Sequence, residues 1–182
     1  MEKDDHVLIE ETLAGQLTSY DMLMQRYQNL IYKICYSFGK NKENALDIVQ
    51  NVFLKAFENL KTIKGRQNFK SWLSRIAFNE GINWTRKFKN RAFEDEFDEQ
   101  TEISNYEPTI DDELIAREHK HELLRSLFAL NTRYRLAVVL RYYQEMPIKE
   151  IAEILNCSEG VVKNMLYRSL QRLKLTLVRQ LN

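Results

Sequence analysis

Lys163, Asn164, Tyr167 and Arg168 are spaced so that one helix would hold all four on a single side. Their chemistry suits nucleic acid: cations for phosphate oxygens, an amide and a guanidinium for base edges. A second set, Arg75, Asn79 and Arg86, recurs at helical spacing in mid-chain, and Lys87, Lys89 and Arg91 extend its charge. Lys64 and Arg66 flank Gly65 in a loop just upstream, and add to the cationic side chains that DNA contact would use. A third set, Asp47, Gln50 and Asn51, is polar without being basic. The patterns of bond-breaking chemistry do not occur: there is no Gly-rich phosphate loop, no nucleophile elbow and no pair of metal ligands. His119 and His121 are two apart, so a helix turns them to different faces, which makes poor metal-site geometry. Cys35 and Cys157 lie among apolar residues and are expected to be buried. These residues predict recognition rather than catalysis, with no cofactor.

The elements that must carry the first set are plain in the sequence. Pro147 suits the first turn of a helix, and Ile148, Ile151, Ala152 and Leu155 follow at helical spacing. Asn156-Cys157-Ser158 interrupts, and Ser158 is placed to cap a second helix. In that helix Val161, Val162, Met165, Leu166 and Leu173 form an apolar arc opposite Lys163, Asn164, Tyr167, Gln171 and Lys174, with Arg168 at its edge. The pattern is that of a helix-turn-helix offering a polar face to the major groove. An ordinary helical hairpin with a solvated basic face shares the periodicity, so the rest of the chain has to decide.

Apolar residues at 44% and charged residues at 29% belong to a soluble globular protein, and five Gly and two Pro in 182 residues leave room for helices throughout. No apolar stretch approaches the roughly 20 residues that cross a membrane. The start, MEKDDHVLIEE, lacks the features of a signal peptide, so a cytoplasmic protein without membrane insertion is expected. The overall charge of +1 conceals a division: residues 1–93 carry +5, residues 94–113 carry −10, and residues 114–182 carry +6. Two basic helical domains joined by an acidic linker are therefore expected, and that distribution favours a nucleic-acid partner. The linker has no helical period and contains Pro108.

In the first domain a helix over 5–14 ends at Gly15, and Thr18 or Ser19 is placed to cap the next, which stops at Gly39. Val49, Val52, Phe53, Ala56, Phe57 and Leu60 then form one apolar stripe, with Asp47, Gln50, Asn51 and Lys55 opposite. A further helix turns Phe69, Trp72, Leu73, Ile76, Ala77 and Trp84 inward. Gly81 within it disfavours the helix by roughly 1 kcal/mol against Ala, and suggests that a backbone or nucleic acid passes close by. In the last domain Leu123, Leu124, Leu127 and Phe128 belong to one helix, and Tyr134 through Tyr143 to the next.

Three segments resemble, in order, the bacterial sigma factors of the extracytoplasmic-function group. ALDIVQNVFLKAF is similar to their polymerase-docking helix, and FKSWLSRIAFNEGINWTRK to the helix and basic exit for the minus-ten element. YRLAVVLRYYQEMPIKEIAEILNCSEGVVKNMLYRSLQRLK is similar to their minus-thirty-five helix-turn-helix. The resemblance implies an all-α protein of two small domains that directs RNA polymerase core to promoter DNA. It places Asp47, Gln50 and Asn51 on the beta-prime clamp, and the loop from Thr62 to Phe69 around a base flipped from the non-template strand. Asn79 would touch that strand, Lys163, Asn164, Tyr167 and Arg168 the major groove, and Arg141 a phosphate. It further implies the beta flap as a second polymerase contact, and an anti-sigma factor that wedges between the domains. Asn51 stands where the family usually carries an acid, and Val161 and Asn164 where it usually carries Thr and Ser. A stand-alone helix-turn-helix regulator would account for residues 114–182, but would leave the stripe over 49–60 and the Arg75/Asn79/Arg86 face without a role.

Overall fold

The computed structural model describes residues 3–63, 68–92 and 123–180, and every regular element among them is helical. The chain divides into two units, Met1–Phe97 and Asp98–Asn182.

In the first unit α1 spans Asp5–Leu13, α2 Leu17–Gly39, α3 Lys42–Asn59 and α4 Phe69–Ala92, with a 3-10 turn at Leu60–Thr62. The second helix touches the other three and forms the axis of their core. Asp4 caps α1 by accepting the His6 N–H, and Gly15 turns the chain at a φ of 99°. Neither Thr18 nor Ser19 caps α2: its cap residue is Gln16, and Ser19 is buried and donates to Glu11 Oε2 at 2.6 Å. Tertiary contact has outbid a local cap here. Lys3 and Ser19 together hold the Glu11 carboxyl below its usual range. Asp5 accepts from both Arg26 and the Tyr27 hydroxyl, which fastens α1 to α2. At the far end Lys40, not Gly39, takes the left-handed conformation, and its N–H reaches the Tyr36 carbonyl at 3.0 Å. Gly39 instead lets α3 start close by, since a Cβ there would lie 2.8 Å from the Ala45 nitrogen.

The buried stripe of α3 is Ala45, Ile48, Val52, Phe53 and Ala56, rotated from the expected one: Val49 is half-buried and Phe57 exposed. The reason lies in Tyr20, whose hydroxyl donates to the Phe53 carbonyl at 2.5 Å while its ring meets Phe57 edge-on. In α4, Phe69, Leu73, Ala77 and Phe78 are buried, whereas Trp72, Ile76 and Trp84 are only half so. What passes close to Gly81 is a ring. A Cβ on Gly81 would fall 2.2 Å from a carbon of Phe38, which itself packs on Phe78 at 6.0 Å between centroids.

The second unit starts, among the described residues, with helix α5 over 123–128. Asn131 caps α6, Thr132–Val138, which runs on into one π-helical turn, Val139–Tyr143. Pro147 is the cap of α7, Ile148–Leu155, rather than its first residue, and its extended backbone (ψ 145°) leads the chain in. Asn156 ends α7 in the left-handed conformation and Cys157 N–H returns to the Ala152 carbonyl at 3.0 Å, the geometry of a helix terminus. Ser158 then accepts the Val161 N–H at 3.4 Å and α8, Glu159–Gln180, begins. Cys157 is half-exposed at this turn, unlike the buried Cys35, whose thiol is pushed up by burial.

Gly81→Ala should destabilise the first unit by about 1–3 kcal/mol through overpacking against Phe38, although Ala is the better helix former. Urea denaturation of the full chain measures this, and adding Phe38→Leu should return at least half of the loss. An unaltered midpoint for Gly81→Ala would show that the ring yields freely.

Candidate nucleic-acid interface

Helix α8 presents two outward columns. Lys163, Tyr167, Gln171 and Lys174 follow at i, i+4, i+8 and i+11, and Val161, Asn164 and Arg168 at i, i+3 and i+7; all seven are exposed. Val162, Met165, Leu166, Ser169 and Leu173 are buried on the other side. Val161 therefore leaves the arc expected for it. At 42% exposure it stands in line with Asn164 and Arg168, where its methyl groups suit a thymine methyl. The sequence carried that signal in the spacing, but a valine so near the helix start reads as core.

Arg141 is half-buried and commits one nitrogen, Nη1, to the Met146 carbonyl at 3.0 Å, which braces the turn into α7. Its remaining donors leave phosphate contact open. Two neighbouring arginines hold the helix-turn-helix in shape. Arg133 donates to the Leu155 carbonyl at 2.6 Å, at the end of α7. Arg135 is 2% exposed, donates Nη1 to the Phe128 carbonyl at 2.8 Å and lies 4.6 Å from the centre of the Phe128 ring. Burial lowers its pKa to about 10, so the guanidinium keeps its charge at neutral pH.

In the first unit, Arg75, Asn79, Arg86 and Lys87 are all exposed on α4. Lys64 and Arg66 lie outside the described residues. Asn79 borders a pocket of about 290 Å³ between α3 and α4, together with Trp72, Ile76, Asn59, Lys55 and Glu80. Across it Lys55 Nζ donates to Glu80 Oε1 at 2.6 Å. Trp72 and Ile76, expected inside, are half-buried and supply apolar walls. Lys55 and Glu80 are 25 residues apart, and no periodic pattern announces such a pair.

The third set behaves differently. Asp47, Gln50 and Asn51 are exposed on α3, and Asn51 donates back to the Asp47 carbonyl at 3.0 Å. Gln50 borders an open groove of about 680 Å³ between α2 and α3, whose walls include Leu46, Leu54 and Phe57, each more than 40% exposed. An apolar groove with a polar rim suits a protein partner better than DNA. Among the described residues no group of His, Cys, Asp and Glu is placed to hold a metal, and no helix is long and apolar enough to cross a membrane.

Comparison with known proteins gives the same two parts. A model of sigma-70 region 2 matches residues 23–91, and a model of sigma-70 region 4 matches residues 120–173. The chain is 33% identical to the RNA polymerase sigma factor YlaC of Bacillus subtilis, over 85% of this chain and 88% of that one. It is 29% identical to the ECF RNA polymerase sigma factor SigW of the same organism, over 91% and 92% of the two chains. The fold is shared with the sigma factor RpoE of Bartonella quintana, solved in complex with the anti-sigma factor NepR, at a TM-score of 0.74 and 21% identity, over 87% of this chain and 96% of that one.

Replacing Lys163 and Arg168 together by Ala should weaken duplex DNA binding and flatten its salt dependence. Each lost phosphate contact reduces the slope of log K against log salt by about 0.9. Fluorescence anisotropy between about 50 and 200 mM salt measures that slope. Because both side chains are exposed, the urea midpoint should stay where it was; a shifted midpoint would make them structural.

Proposed function

We propose, from the premise that this chain belongs to the extracytoplasmic-function group of the sigma-70 family, that its two units divide promoter recognition between duplex and single-stranded DNA. As a sigma factor the chain is a non-catalytic subunit that directs RNA polymerase to promoters. In our reading, residues 114–182 lay the outward columns of α8 in the major groove of the minus-thirty-five element. Lys163 and Arg168 supply salt-sensitive affinity, Asn164 and Val161 base discrimination, and Arg141 a phosphate contact. Residues 1–93 take the minus-ten element: an unstacked base of the non-template strand enters the pocket beside Asn79, while Arg75, Arg86 and Lys87 follow its backbone. Lys64 and Arg66 belong to the stretch from Thr62 to Phe69 that the family resemblance assigns to receiving that base.

Unstacking a base costs a few kcal/mol. Stacking on an aromatic ring is worth about 1–3 kcal/mol, so the pocket and its Trp72 wall recover much of that cost. The polymerase supplies the rest. Its beta-prime clamp docks on Asp47, Gln50, Asn51 and the apolar groove beside them, and its beta flap on the second unit. The acidic segment 94–113 follows the path of nascent RNA, whose charge it imitates. An anti-sigma factor holds the protein inactive until needed, in the cytoplasm where the genome is. The observation that carries this reading is that each unit has its own cationic face, and that the one on α4 adjoins a pocket with an aromatic wall. A repressor acting through α8 alone has no use for the second.

Run-off transcription with core polymerase on genomic DNA tests the proposal: the chain should impose a defined set of start sites. Asp47→Ala with Gln50→Ala should abolish association with core, measured by gel filtration, and leave duplex binding intact. Asn79→Ala should alter initiation among minus-ten variants by about tenfold, in line with about 1–3 kcal/mol per base contact. A chain that binds palindromic duplex unaided, and leaves start-site choice by core unchanged, is a stand-alone regulator instead.

A further inference from the structure

A carboxylate is the wrong sign for a surface that meets phosphates, yet the pocket between α3 and α4 contains one. Glu80 follows Asn79 in α4 and borders the same pocket, with 14% of its side chain exposed. Lys55 Nζ donates to its Oε1 at 2.6 Å, and Asn83 Nδ2 donates to the same oxygen at 3.4 Å. Both partners take one oxygen. Among the described residues no hydrogen bond is made to Oε2. Stability does not account for the pair, because the Lys55 side chain is 48% exposed and a solvated ion pair of this kind contributes little.

We infer that Glu80 is a specificity-determining acceptor, which selects an unpaired base carrying an exocyclic amino group (cytosine, adenine or guanine) over thymine. The inference rests on the proposal above that this pocket receives a base of the minus-ten strand. At about 290 Å³ it lies at the lower edge of ligand-site volumes, roughly 300–1,000 Å³, and suits one ring system rather than two nucleotides. Trp72 and Ile76 provide apolar walls for a flat ring, and Asn79 can donate to a ring nitrogen or carbonyl. An ionised carboxylate only accepts, so it rewards an amino group, as Glu and Asp do with the cytosine amine in duplex readout. Thymine would instead bring carbonyl lone pairs against it, leaving a desolvated acceptor facing an acceptor. Lys55 completes the device: it occupies Oε1, leaves Oε2 for the base, and cancels the charge that would otherwise repel the phosphates on either side.

The test uses the full chain assembled with core polymerase, on promoters with a preformed bubble. Each non-template position of the minus-ten element is varied through the four bases, and cytosine is also replaced by uracil, which exchanges the amino group for a carbonyl and turns the ring N3 from acceptor to donor without adding the thymine methyl. With the unaltered protein, one position should favour an amino-bearing base over thymine by about tenfold or more, and uracil there should behave as thymine. Glu80→Gln keeps the shape but adds an N–H donor, so it should compress that ratio to about threefold or less, with preferences at other positions unchanged. Glu80→Gln that slows every promoter alike, or leaves the ratio intact, overturns the inference; so does an absence of any uracil penalty with the unaltered protein, a measurement that does not depend on the variant folding. Failure of the unaltered chain to start transcription with core would instead overturn the promoter reading itself.

Discussion

The contact between the Phe38 ring and the bare backbone of Gly81 sets the geometry of the first unit. It fixes how closely α4 runs beside α2, since any side chain at position 81 would intrude on the ring. With α4 held there, Leu73 and Ala77 close the core, and Arg75, Asn79 and Arg86 are left facing outward. The Tyr20 hydroxyl ties α2 to the backbone of α3 at Phe53 in the same way, through a main-chain atom rather than a replaceable side chain. The third side of the triangle, α3 against α4, is where the pocket lies and where Lys55 reaches Glu80. Two sides fixed by backbone contact thus hold the third side, and the pocket on it, in a defined shape.

The second unit solves a different problem, that of helix ends. A short helix leaves its last carbonyls without partners, and three short helices meeting at a turn bury several of them. Arg133 and Arg135, two apart on α6, each send a guanidinium to such an end: one to Leu155 at the close of α7, the other to Phe128 at the close of α5. Burying a cation is costly unless its donors are satisfied. Arg135 meets that condition at its two terminal nitrogens, with carbonyls and the Thr132 hydroxyl, while its Nε is buried without a hydrogen bond among the described residues. The Phe128 ring lies against the guanidinium, whose charge complements the negative end of α5. Helix α6 is thereby tied to the ends of both α5 and α7.

Periodicity made the helices legible, and within α8 it separated the outward residues from the buried ones almost completely. Where it misled, a tertiary contact had displaced a local preference. Ser19 is a good cap by type, but Glu11 on the preceding helix claims its hydroxyl. Phe57 and Val49 fit an apolar stripe, yet the Tyr20 bond rotates α3 so that they border an open groove instead. Gly81 announced a close approach without saying by what. The candidate residues Arg75 and Asn79 could be found from spacing, because they lie on one helix. Lys55 and Glu80 could not, because their meeting depends on how two helices pack. The large charge differences along the chain were visible at once, since they need no structure to count.

The partition of α8 into buried and outward columns has a consequence for how such a protein changes over generations. Val162, Met165, Leu166 and Leu173 anchor the helix, while Asn164, Tyr167 and Arg168 bear almost none of that duty. Mutations at the outward sites are therefore close to neutral for folding, so a duplicated gene can drift toward a new target sequence without passing through unstable intermediates.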